Sequence, residues 1–160
     1  MLIISGCSGS GKSTVAKAII DRHILNVDNI VNVGDIVLKI TKSKKGIKLK
    51  HNSMVLEELD KVVNKNTVLV GARENYIIDY FVAKYNAKVI ILIVSERERI
   101  NRLLERGLTL QQIKDKFIDE IQIGMFDVIY HSKEGRNKYI FTEQDIECTI
   151  SDILSMSSKC

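Results

Sequence analysis

Leu2-Ile3-Ile4-Ser5-Gly6-Cys7-Ser8-Gly9-Ser10-Gly11-Lys12-Ser13-Thr14 opens the chain as a short apolar run followed by the pattern G-x-x-x-x-G-K-S. An apolar strand entering such a loop, and a helix leaving it, is the context of a phosphate-binding turn. Gly6, Gly9 and Gly11 free the backbone to wrap with its N–H groups inward, where they cradle phosphate oxygens. Lys12 adds a point charge near the β- and γ-phosphates, and the Ser13 hydroxyl is placed to bind Mg²⁺. A helix beginning at Lys12 aims the positive end of its dipole at the same spot. The expected nucleotide contacts are therefore Gly6, Cys7, Ser8, Gly9, Ser10, Gly11, Lys12, Ser13 and Thr14, with Ser13 as metal ligand. The plainer reading is a glycine-rich turn before a helix.

Outward from this loop the chain alternates strand and helix. Residues 1–5 read as a strand and Lys12–His23 as a helix that buries Val15, Ala16, Ile19 and Ile20. Ile30–Val33 reads as a second strand ended by Gly34-Asp35, and Ile36–Ile40 as a short helix. A lysine-rich loop follows, from Lys39 through Lys42, Lys44, Lys45 and Lys48 to Lys50. Ser53 begins a helix to Val63 in which Met54, Val55, Leu59, Val62 and Val63 recur at helical spacing. Thr67–Val70 is a short strand and Glu74–Tyr85 a helix; Lys88–Val94 is the longest apolar run, suited to a central strand covered on both faces. Helices Glu96–Arg106 and Thr109–Ile123 are split by Gly107. Asp127–Tyr130 and Tyr139–Phe141 are short strands or one interrupted strand, and Thr142 caps a last helix to Ser155. The alternation predicts one α/β domain over residues 1–160: a doubly wound, five-stranded parallel sheet flanked by helices, with ligands at the carboxyl ends of the strands.

Composition narrows the function classes. At 160 residues the chain can bury a proper core, and its 45% hydrophobic content argues against disorder. No apolar stretch is long enough to span a membrane, so no membrane partner is expected. Cys7, Cys148 and Cys160 lack metal or redox spacing, and a reduced cytoplasmic setting is the default. The net charge of +4 is too mild to imply nucleic acid. His23, His51 and His131 are dispersed without zinc spacing, and Tyr76, Tyr80 and Phe81 fall at the spacing of core packing.

Three stretches together resemble the P-loop small-molecule kinases, in particular nucleoside monophosphate kinases and dephospho-CoA kinase. These are the phosphate loop, V-G-D at Val33–Asp35, and Glu96–Ile113 followed by Phe126–Gly135. The resemblance implies the P-loop NTPase fold with a small helical lid over about 97–124, hinged at Gly107. It also implies ATP and Mg²⁺ as cofactors and transfer to a small phosphorylated or nucleotide-like acceptor. Asp35 would then face the acceptor, either orienting its hydroxyl or holding a metal-bound water; a helix cap is the plainer role. Arg102 and Arg106 stand four apart on one helix, so both can approach the moving phosphate; pairing with Glu98 and Glu105 is the alternative. With Lys12 and Asp35 they make up the expected catalytic set. Arg73, in Val70-Gly71-Ala72-Arg73, corresponds to an arginine that binds the acceptor phosphate in such kinases, a structural arginine at a helix start being the alternative, but Val70 stands where they carry an acid. That departure keeps open a nucleotide-binding regulatory module or a bare NTPase. A polynucleotide end kinase, holding a strand on the lysine loop, is the third alternative.

Overall fold

The apolar runs stack side by side as one parallel sheet. The computed structural model describes residues 1–41, 53–122, 124–125, 138–141 and 146–157; for 138–141, 146, 156 and 157 the description is of the backbone. The strands are β1 Leu2–Gly6, β2 Asn29–Asn32, β3 Thr67–Val70, β4 Lys88–Ile93 and β5 Lys138–Phe141, in the order β2-β3-β1-β4-β5. All neighbours run parallel; Ile3 pairs with Leu69 on one side and Val89 on the other. The helices are α1 Lys12–Asp21, α2 Val33–Thr41, α3 Ser53–Val62, α4 Asn75–Tyr85, α5 Glu96–Glu105, α6 Leu110–Gln122 and α7 Ile146–Ser157. A 3-10 turn, Ile24–Asn26, leads from α1 to β2.

The two-residue period of the strands divides the core in two. Ile3, Leu69, Val89 and Ile91 face one side, where they meet Val55 and Leu59 of α3 and Ile77 and Phe81 of α4. Leu2, Ile4, Val68, Val70, Ile90 and Leu92 face the other, against Val15, Ala16 and Ile19 of α1 and Ile153 of α7. Burial on both faces is why β1, β3 and β4 read as continuous apolar runs.

Several boundaries differ from expectation. β2 stops at Asn32 and α2 starts at Val33, so Gly34 and Asp35 lie inside the helix rather than in a turn before it. The cause is Asn32, whose side-chain oxygen accepts the Gly34 N–H at 2.9 Å and turns the chain into a helix directly after the strand. α1 ends at Asp21, and His23 is exposed in the left-handed region with φ 54°. On α3, Val55, Leu59 and Val63 are buried, but Met54 and Val62 keep 55% and 44% of their surface exposed. The lysine loop beyond Lys39, His51, His131, the strand over 127–130, the stretch 126–135 and the Thr142 cap lie outside the described residues.

Candidate functional site

The loop between β1 and α1 is held open by close approaches that only glycine permits. A Cβ on Gly6 would lie 2.6 Å from the Leu92 carbonyl oxygen, and one on Gly9 would lie 2.9 Å from that of Arg99. Both glycines, with Gly11, have positive φ, so the conformation and the space exclude a side chain together. Ser13 and Thr14 are exposed in the first turn of α1. A hydroxyl oxygen at that place is a hard donor that fits Mg²⁺, an ion that keeps waters and shares phosphate oxygens. Among the described residues, no three His, Cys, Asp or Glu side chains gather as a separate metal cage.

Lys12 folds back over the loop, donating to the Cys7 carbonyl at 2.7 Å with Ser10 Oγ at 3.5 Å. Burial, reinforced by the neighbouring Arg73 cation, pulls its amine down to about 7. Arg73 enters from the β3–α4 connection and donates to Ser8 Oγ at 3.3 Å. That connection is anchored to β1: the Ser5 hydroxyl donates to the Ala72 carbonyl, and the Gly71 N–H reaches the Ile4 carbonyl at 3.0 Å.

The helix after β4 supplies two further arginines. Ser95 caps α5 by accepting the Glu98 N–H, which fixes where the helix begins. From α5, Arg99 donates its Nε–H to the Ser8 carbonyl at 2.8 Å and its terminal N–H to Glu120 on α6. The other oxygen of Glu120 accepts the Ser8 backbone N–H. The pair is enclosed, with 10% and 2% of the two side chains exposed, and the Phe117 ring lies 4.2 Å from the Arg99 guanidinium. Arg102 points the same way, 3.5 Å from the Gly9 carbonyl, and is also paired with Glu98 at 2.9 Å. Burial and the nearby Glu120 charge push the Cys7 thiol above its ordinary value, which keeps it protonated and unreactive.

Of the expected site residues, the structure brings Lys12, Arg73 and Arg102 together around the loop. Arg106 lies at the carboxyl cap of α5 and is exposed. Asp35 is exposed in the first turn of α2, past the carboxyl end of β2. Val70, whose neighbours are apolar, is 2% exposed beneath α1, so β3 offers no carboxylate there. The sequence pattern assigns no role to Arg99 or Glu120. The legible signal was Ile113, Phe117 and Glu120 at helical spacing: an acid on the inward stripe of α6 requires a buried partner.

A family model described as an AAA domain matches residues 2–122, which contain the loop, Arg73, Arg99, Arg102 and Glu120. The chain belongs to this AAA-domain family. A search of curated proteins finds no match. Among solved structures, a gluconokinase from Sinorhizobium meliloti 1021 superposes with a TM-score of 0.65 at 18% identity, covering 96% of this chain and 89% of that one. A shikimate kinase from Aquifex aeolicus vf5 superposes with a TM-score of 0.58 at 20% identity, covering 98% and 95%. The AAA-domain chain thus shares its fold with P-loop small-molecule kinases. Among the described residues, no helix is long and apolar enough to cross a membrane.

Proposed function

We propose that this AAA-domain chain is an ATP- and Mg²⁺-dependent phosphotransferase acting on a small phosphorylated or nucleotide-like acceptor, such as a nucleoside monophosphate or dephospho-CoA. The supporting observation is convergence: Lys12 of α1, Arg73 of the β3–α4 connection, and Arg99 and Arg102 of α5 all reach the Cys7–Gly9 segment of the loop. Phosphoryl transfer needs positioned cations around the migrating group more than covalent help. Lys12 and the loop amides hold the donor phosphates, Ser13 holds Mg²⁺, and Arg102 neutralises the moving phosphate. Arg106 joins Arg102 when the segment over 97–124 closes as a lid. Arg73 binds the acceptor phosphate, and Asp35 orients the attacking hydroxyl. Mg²⁺ held at Ser13 would neutralise charge on the donor phosphates. Both similar structures are kinases by name, which favours an acceptor over water.

One observation favours a second reading. With apolar Val70 at the end of β3, the outer metal shell lacks the acid such kinases carry there, as suits an NTPase or a regulatory module that senses its nucleotide. ADP release measured against a panel of nucleoside monophosphates, dephospho-CoA and small hydroxy acids separates the two. Turnover that rises at least about tenfold with one acceptor, a barrier change of about 1.4 kcal/mol, supports transfer. Turnover equal to bare hydrolysis with every acceptor rejects the kinase reading.

A further inference from the structure

We infer that Glu120 is a built-in occupant of the terminal-phosphate position, a carboxylate that a nucleoside triphosphate must displace and a diphosphate need not. The inference rests on the donor-site reading above. It begins with what surrounds the carboxylate. One oxygen accepts the Ser8 N–H of the phosphate loop and the other accepts from Arg99, whose Nε–H is bound to the Ser8 carbonyl. The Lys12 amine, 2.7 Å from the Cys7 carbonyl, also feels the Glu120 charge. A backbone N–H and a guanidinium group bound to one anion, with an ammonium close enough to feel its charge, are ligands that a phosphate also takes. Ser8 lies in the first half of the loop, away from the α1 terminus that takes the inner phosphates, so the position matches the outermost phosphate.

The electrostatics give the arrangement a reason. Arg99 and Lys12 are drawn out of water, and a buried cation needs a counter-charge. Glu120 supplies it when no nucleotide is bound. A γ-phosphate arriving beside Glu120 would place two anions together, so carboxylate and phosphate exclude each other. The exchange leaves Arg99 paired throughout, first with the carboxylate and then with the phosphate. The backbone provides for the move: α6 lies between Gly107 and Gly124, with φ 82° and 76°, and a side chain at Gly107 would meet open space.

The test is calorimetric titration of wild type and Glu120→Gln with the non-hydrolysable triphosphate AMPPNP and with ADP. The amide keeps an acceptor for the Ser8 N–H but removes the charge. Glu120→Gln should bind the triphosphate about tenfold more tightly and ADP within about twofold of wild type. Unchanged or weaker triphosphate binding would overturn the inference, and a parallel loss for both nucleotides would make Glu120 a structural brace. Should the variant fail to fold, wild type with carboxyl-labelled glutamate answers by NMR. The Glu120 resonance should shift with the triphosphate and stay with ADP; a resonance unmoved by both rejects displacement. Failure of wild type to bind either nucleotide is a different result, and it removes the donor site itself.

Discussion

Among the described residues, Lys12 is the one cation at the loop whose charge burial pulls into the neutral range: its amine is held at about 7, mainly by burial and next by Arg73. The folded chain therefore binds fewer protons than the unfolded one between about pH 7 and the ordinary lysine value, and this residue's penalty on stability is relieved as pH rises through that window. Bound phosphate restores the charged form, so binding takes up a proton inside the window and none below it. Titration at about pH 8 in buffers of different ionisation heat should show uptake approaching one proton per nucleotide. Lys12→Met should abolish the uptake and lose most of the affinity. Uptake equal in both proteins would show that the proton goes elsewhere.

At the scale of elements, the phosphate loop is as much a surface for α5 as a turn between β1 and α1. Gly9 lies against the backbone of Arg99, whereas Gly107 has the same handedness of backbone with free space around it. Gly9→Ala combines a steric clash with a positive φ and should cost about 2–3 kcal/mol along with nucleotide binding. Gly107→Ala carries only the backbone penalty, about 1 kcal/mol, and should leave binding of ADP near normal. Denaturant melts and ADP titrations compare the two; equal losses of stability would contradict the placement of α5 on the loop. This contact also marks where sequence reasoning stopped. Strands and helices were legible because their periodicity is local, and Gly6–Thr14 because its residues adjoin one another. The Arg99–Glu120 pair joins separate helices, and no local pattern names a partner across such a gap. Asp35 was displaced for a smaller reason: a single Asn32 side chain moved the start of α2 ahead of Gly34.

Across the whole molecule, the candidate site gathers beyond the carboxyl ends of the strands: the loop after β1, Asp35 after β2, Arg73 after β3 and the α5 arginines after β4. β1 lies between β3 and β4, so the chain crosses over it on the way from β3 to β4, and the loop comes to rest where the connections diverge. The apolar runs disclosed this parallel arrangement, since only strands buried on both faces read that way. The acceptor was not disclosed, because no local run of residues specifies it. The same geometry separates donor from acceptor experimentally. A ligand that binds only the folded chain stabilises it by about 2.7 kcal/mol at a hundredfold excess over Kd. For a domain of this size that corresponds to roughly 5–10 °C in Tm. ATP with Mg²⁺ should produce this shift in wild type. On the proposed roles, Arg73 on the acceptor and Lys12 on the donor, Arg73→Met should retain the shift and Lys12→Met should lose it. A shift abolished by Arg73→Met would move that arginine to the donor phosphates and leave Asp35 as the acceptor-side residue.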